Sequence, residues 1–298
     1  MLGLAGAATA TALYFSLKSD ISRDRVQQNY TNDDSEFISF RGLDVHYRIT
    51  GTGPALVLLH GTASSLHTWD GWTDVLSDHY RVIRMDLPGF GLTGPDPQSR
   101  YTLDSYVAFL NHFLDELDVQ SAHLAGNSFG GKIAWNYTAE HPDRIEKMIL
   151  INSMGFMTHW PSLFRLPGIP IAGHALKYLS PRWVIRRFLR SLYGQPDTLK
   201  EDVFNRYFDL LLAEGNRRAL YERLNAPIAR NEDKLTHIKT PTLVQWGTLD
   251  PLLPVNHANG FNRKLPRSSL LTYLGLGHVP MEESPEQTAR NAHQFLQG

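Results

Sequence analysis

The chain has 298 residues, 42% of them hydrophobic and 20% charged, which supplies a sizeable core and excludes disordered, collagen-like and fibrous classes. Lys and Arg number 29 against 30 Asp and Glu, and no long basic run tracks a phosphate backbone, so the electrostatic footprint of a nucleic-acid partner is missing. Cysteine is absent, which removes disulfides, thiolate metal sites and cysteine nucleophiles together.

Residues 1–17 carry no charge before Lys18 and are rich in Gly, Ala and Thr. Their length lies at the short edge of what crosses a bilayer, and no basic residue precedes Leu2 as a secretory leader requires. An N-terminal membrane anchor or signal segment is expected here, with a cleaved leader and an ordinary packed helix as alternatives. Residues 18–35 are polar and show no apolar period, so they are expected to form a linker. A membrane-anchored or exported protein follows, with a cytoplasmic one as the remaining option.

From residue 37 the pattern alternates. Phe37-Ile38-Ser39-Phe40-Arg41 and Leu43-Asp44-Val45-His46-Tyr47-Arg48-Ile49 flank Gly42 and predict a β-hairpin. Short apolar runs then predict strands buried on both faces, at residues 55–59, 80–85, 122–125, 147–151 and 242–246. Helical periodicity fills residues 103–117 and 129–139 between them. Strand and helix in alternation predict an α/β fold with a mainly parallel sheet. Between residues 152 and 242 no further buried strand is legible. Helical periods at residues 183–193 and 203–214 predict an excursion folded over the sheet.

The sharpest local signal is Gly126-Asn127-Ser128-Phe129-Gly130-Gly131, directly after a predicted strand and directly before a predicted helix. Glycines around a strained strand-to-helix turn let neighbouring backbones approach, and the turn lifts the Ser128 hydroxyl above the sheet edge. A serine needs a base, and the base needs an orienting acid. Asp250, in Trp246-Gly247-Thr248-Leu249-Asp250-Pro251, and His278, in Gly275-Leu276-Gly277-His278-Val279-Pro280, both follow apolar runs, in the chain order expected of this fold class. His60-Gly61-Thr62-Ala63 follows the strand at residues 55–59, so the amides of Thr62 and Phe129 are the candidate oxyanion donors. Asp86 and the glycines at 89 and 91 are expected to shape a turn under the site. The other twelve histidines show no metal-ligand spacing, and neither metal nor organic cofactor is expected.

His60-Gly61, Asp86-Leu87-Pro88-Gly89-Phe90-Gly91, the elbow at Ser128, Trp246-Gly247 with Asp250, and Gly277-His278 together resemble the α/β-hydrolase fold superfamily, over about residues 37 to 296. The likeness is strongest to its single-domain, cap-bearing esterase and hydrolase branch. It implies an eight-stranded core from residues 36–155 and 236–298, a helical cap from residues 156–235 inserted after the sixth strand, and a pocket between them. Ser128 stands where epoxide- and halide-displacing branches of the family use aspartate, and Thr62 stands where dehalogenases look for asparagine. Asn127-Ser128 with Gly130-Gly131 resembles the meta-cleavage carbon–carbon hydrolases, but those usually carry tryptophan after the histidine, and here Val279 follows it.

The expected function is therefore hydrolysis of carboxylic esters through an acyl-enzyme, on uncharged and partly hydrophobic small molecules. Phe156, Trp160, Trp183 and Val279 are the candidate pocket walls, with Phe188 and Tyr193 as further aromatics. Two alternatives stand beside it: a carbon–carbon hydrolase of ring-cleavage dienones, and a hydrolase-fold module that binds a small apolar ligand. The basic segment with Arg182, Arg186, Arg187 and Arg190 reads as a solvated face, or as a contact for an anionic membrane surface.

Overall fold

A computed structural model of the chain describes residues 19–156 and 180–298. In chain order the elements are α1 (Arg23–Tyr30), β1 (Ser35–Phe40), β2 (Leu43–Thr50), β3 (Ala55–Leu59), α2 (Asp70–Leu76), β4 (Arg81–Met85), α3 (Leu103–Glu116), β5 (Ala122–Asn127), α4 (Phe129–Glu140) and β6 (Ile145–Ile151). Then follow α5 (Arg182–Leu192), α6 (Glu201–Leu212), α7 (Asn216–Asn225), β7 (Thr242–Gly247), α8 (Asn256–Lys264), β8 (Ser268–Tyr273), α9 (Pro280–Glu283) and α10 (Pro285–Gln297). The strands form one eight-stranded sheet in the order β1-β2-β4-β3-β5-β6-β7-β8. The β1–β2 and β2–β4 pairs are antiparallel and the others parallel, so the predicted hairpin forms one edge of an otherwise parallel sheet.

Residue parity explains why these strands read as unbroken apolar runs. Leu56 and Leu58 of β3 pack on one side of the sheet with Ile149 and Ile151 of β6, beneath Trp69 and Trp72. Val57 and Leu59 pack on the other side with Met148 and Leu150, against Leu110, Phe113 and Ile133 of α3 and α4. A strand covered on both faces needs no polar positions to meet water. Helix α3 begins where Thr102 accepts a hydrogen bond from the Ser105 N–H at 3.3 Å, the usual way a hydroxyl satisfies an orphan amide.

The linker expected at residues 18–35 is corrected by the structure. Residues 23–30 form α1, which buries Val26 to 2% exposure against α6. Ile21 N–H donates to Leu212 O at 2.8 Å, Glu214 N–H donates back to Ile21 O at 3.0 Å, and Tyr30 donates to Asp209 at 2.7 Å. The segment reads as solvated because its polar groups are numerous, yet their partners belong to distant parts of the chain. The anchor expected at residues 1–17 lies outside the described residues. Among the described residues no helix is long and apolar enough to cross a membrane.

Asp86, at the end of β4, does the turn-shaping work expected of it. Its Oδ1 accepts the Leu66 N–H at 2.7 Å, and its Oδ2 accepts the Leu92 N–H at 2.7 Å and faces His46 Nδ1 at 2.8 Å, all fully buried. Burial disfavours the charge, but the His46 bond together with the electrostatic pull of His46, His60 and His67 outweighs it and holds the carboxyl well below the ordinary range. Asp86→Ala, which strands these donors, is expected to cost about 3–5 kcal/mol in urea unfolding. A folded-state value below the unfolded one gives a contribution that is complete above about pH 4 and lost as pH falls below it. The wild-type advantage over the variant should therefore shrink in acid; an advantage independent of pH would contradict this assignment.

Candidate active site

Ser128 sits at φ 54°, ψ −114° between β5 and α4, a conformation that costs a non-glycine residue about 1–3 kcal/mol. The surroundings hold it there. Ser128 N–H donates to Ile151 O at 3.1 Å, and its carbonyl accepts the N–H groups of Met154 at 2.9 Å and Lys132 at 3.2 Å. The elbow glycines are required by close approach: a Cβ on Gly130 would lie 2.2 Å from Leu59 O. The serine side chain is left lining a cavity that His278 also lines.

His278 stands on the loop between β8 and α9, and its Nδ1 lies 2.7 Å from Asp250 Oδ2. Asp250 follows β7, and its other oxygen accepts the N–H groups of Leu252 at 2.8 Å and Leu253 at 2.9 Å. The Asn152 amide donates to Oδ2 at 2.7 Å. Burial penalises the charge, yet the imidazole and these donors together hold the Asp250 carboxyl below its ordinary value. An ionised carboxylate accepts only, so the proton of the pair resides on His278 Nδ1 and Nε2 keeps its lone pair. A neutral imidazole so oriented can act as a base.

Thr62 also lines the cavity, and the preceding Gly61 passes against the elbow: a Cβ there would lie 3.1 Å from Ser128 Cβ. His60 fixes this loop by accepting the Leu87 N–H at Nε2, 2.9 Å, while Nδ1 lies 2.7 Å from Gly61 O. Burial lowers the His60 pKa, which suits a ring that must accept at one nitrogen. Among the described residues, neither the Thr62 nor the Phe129 N–H has a hydrogen-bond acceptor. Phe129 opens α4, so its amide belongs to the positive end of the helix dipole.

The predicted walls fare unevenly. Val279 lines the cavity, as does Phe188 of α5. Phe156 does not: it packs edge-on to Phe261 at 5.0 Å, over Gly260, on a separate groove. Trp183 points outward at 71% exposure from the far side of α5. Tyr193 is buried but turns its hydroxyl to Glu282. Trp160 lies outside the described residues. The helical period that suggested Trp183 fixes which residues share a face, but not which face meets the sheet. Leu189 and Leu192 on the opposite side of α5 take that place, with Met154, Leu252 and Tyr207.

Two asparagines hold the site by hydrogen bonds that the sequence does not show, although Asn127 belongs to the motif already noted. Asn152 carries Asp250, as above, and accepts the Gly247 N–H at 3.0 Å, which ties the acid loop to the end of β7. Asn127 donates to Ile151 O and His278 O, both at 3.1 Å. Their signal was position alone, one at the end of β5 and one just past the end of β6. Among the described residues no group of three or more His, Asp or Glu side chains is placed to hold a metal ion.

Residues 54–285 match the family model described as alpha/beta hydrolase fold. The chain belongs to the α/β-hydrolase fold family. It is 27% identical over 276 residues to an uncharacterised protein of Mycobacterium tuberculosis, covering 88% of this chain and 80% of the relative. It is 29% identical over 271 residues to a 2-hydroxy-6-oxononadienedioate/2-hydroxy-6-oxononatrienedioate hydrolase of Burkholderia vietnamiensis, covering 85% of this chain and 91% of that enzyme. Among solved structures it is similar to a membrane phospholipase A described as a bacterial virulence factor, with TM-score 0.79 and 27% identity, covering 100% of this chain and 96% of the other. Family membership fixes the scaffold and leaves the substrate to the site.

Proposed function

We propose that the protein is a serine hydrolase of carboxylic esters with an uncharged, partly hydrophobic acyl or alcohol group. The observation that carries this reading is the shared cavity: Ser128 on its strained elbow and the Asp250-oriented His278 open into one apolar chamber. Ser128 attacks the ester carbonyl while His278 Nε2 takes the hydroxyl proton, and Asp250 balances the imidazolium that forms. The Thr62 and Phe129 amides hold the tetrahedral oxyanion. Collapse passes the proton from His278 to the leaving alcohol, and water then repeats the sequence on the acyl-enzyme.

The walls favour this substrate class. Leu189, Leu192, Met154, Leu252 and Val279 offer an acyl chain apolar surface, at roughly 0.8 kcal/mol per buried methylene. The likeness to a membrane phospholipase A over the whole chain supports ester chemistry on acyl lipids, and with it the expectation that residues 1–17 hold the enzyme at a membrane. Turnover of p-nitrophenyl esters from acetate to palmitate by the full chain in detergent is expected to peak where the acyl group fills the chamber. A folded protein that turns over none of them would overturn the ester reading.

Two observations favour a second reading, hydrolysis of a carbon–carbon bond in a ring-cleavage dienone. The Burkholderia relative carries that kind of name, and Asn127 sits beside Ser128 as in that branch. A dienone of that kind carries carboxylates, whereas no Arg or Lys stands among the described cavity residues. Bleaching of a dienone chromophore without ester turnover would establish the second reading in place of the first.

A further inference from the structure

The loop that presents His278 is bonded to the helical insertion as closely as to the sheet. His278 N–H donates to Leu192 O, the last residue of α5, at 2.7 Å. Glu283, at the end of α9, turns back and accepts backbone N–H groups from both sides of the seam, with Gln195 beside Gly194. Its Oε1 takes Gly277 N–H and its Oε2 takes Gly194 N–H, both at 2.7 Å. The strands of this seam touch so closely that a Cβ on Gly277 would lie 2.2 Å from Leu192 O, and one on Gly194 would lie 2.0 Å from Gly275 O. Next door Glu282 accepts the hydroxyls of Tyr193 at 2.5 Å and Tyr207 at 2.9 Å, adding two more links between the insertion and α9.

We propose that Glu283 is a positioning residue, which joins the connection after α5 to the residue before His278 and makes the seating of the insertion and the placement of the base a single event. This rests on the reading of His278 as the general base. The physical reason is geometric. Leu189 and Leu192 are cavity walls, so an acyl group that presses on them presses on the segment whose backbone carries Gly194 and the acceptor of His278 N–H. A carboxylate satisfies amides on both segments with its two oxygens, and these amides are backbone groups whose separation fixes the two segments relative to each other. Proximity effects of this kind are steep, since a displacement of about 1 Å at a reacting group costs about 100-fold.

Glu283→Gln keeps the size of the side chain but offers one oxygen to N–H groups on both sides of the seam. It is expected to lower kcat about 10- to 100-fold with KM within about twofold, because the cavity walls remain and the base is displaced. Glu283→Asp, which keeps both oxygens but shortens their reach by one methylene, is expected to give a kcat loss in the same direction, and it decides the matter if Glu283→Gln does not fold. The proton shared by His278 Nδ1 and Asp250 gives a readout that needs no substrate, a far-downfield line in the one-dimensional ¹H NMR spectrum. In both variants that line is expected to shift or broaden relative to the wild type. Wild-type kcat and an unmoved line in both variants would overturn the proposal. So would a loss carried by KM or by thermal stability with the line unmoved, since that is a structural role only. A wild-type chain without ester turnover would fail the functional reading instead, and the NMR comparison would still decide whether Glu283 positions the ring.

Discussion

Ser128→Ala is expected to lower kcat on p-nitrophenyl esters by about 10⁴- to 10⁶-fold while leaving KM and the melting temperature close to those of the wild type. The substitution removes one oxygen and keeps the Cβ, so the elbow at φ 54° is strained to the same degree before and after. The three backbone hydrogen bonds that hold residue 128 involve its N–H and carbonyl and are untouched. What remains in the variant is the pair of Thr62 and Phe129 amides and the apolar chamber, which bind the ester without attacking it. A variant that keeps more than about a tenth of wild-type turnover would remove Ser128 from the role of nucleophile.

Asp250→Asn is expected to lower kcat by about 10⁴-fold, for a reason that lies in donor and acceptor counting. Every hydrogen-bond partner of the carboxylate is a donor: Leu252 N–H and Leu253 N–H on one oxygen, Asn152 and His278 Nδ1 on the other. An amide must turn its NH₂ towards one of these pairs. Kept away from the two fixed backbone amides, it faces Asn152 and the imidazole, and His278 must then accept at Nδ1 and carry its proton on Nε2. A ring in that tautomer has no lone pair to offer Ser128. The fold should survive, since the amide has nearly the same shape, and the loss should appear in kcat rather than KM. A loss below about tenfold would mean that the orientation of His278 is set elsewhere.

Both predictions rest on residues that could be found without coordinates, and it is instructive why. The elbow was legible because the motif itself carries the glycines its packing requires: a Cβ on Gly126 would lie 2.4 Å from Gly130 O and one on Gly130 would lie 2.2 Å from Leu59 O of β3. Asp250 and His278 were legible because each lies on the loop that follows a short apolar run, and the ends of parallel strands converge at one edge of the sheet. The walls of the chamber were not. In α5 the side of the helix that meets the cavity carries Phe188, Leu189 and Leu192, and the conspicuous Trp183 faces away. Composition rewards the aromatic residue, while the burial of a helix is settled by what it packs against. Helix α1 was missed for the opposite reason. Its low hydropathy suggested solvent, but Arg23 donates to the carbonyls of Leu92 and Thr93 and Tyr30 to Asp209, pairings of high sequence separation that no local pattern announces. Asn152 belongs to the same class, since nothing near it in the chain points to Asp250.

The proposed mechanism requires a covalent acyl intermediate on one hydroxyl. The most direct test is to quench the full chain during turnover of p-nitrophenyl butyrate and measure the intact and peptide masses. The peptide containing Ser128 is predicted to gain one butyryl group, and the Ser128→Ala protein none. Ester consumed by the wild-type protein while the acyl group sits on another residue, or on none under quench conditions that preserve serine esters, would contradict the mechanism.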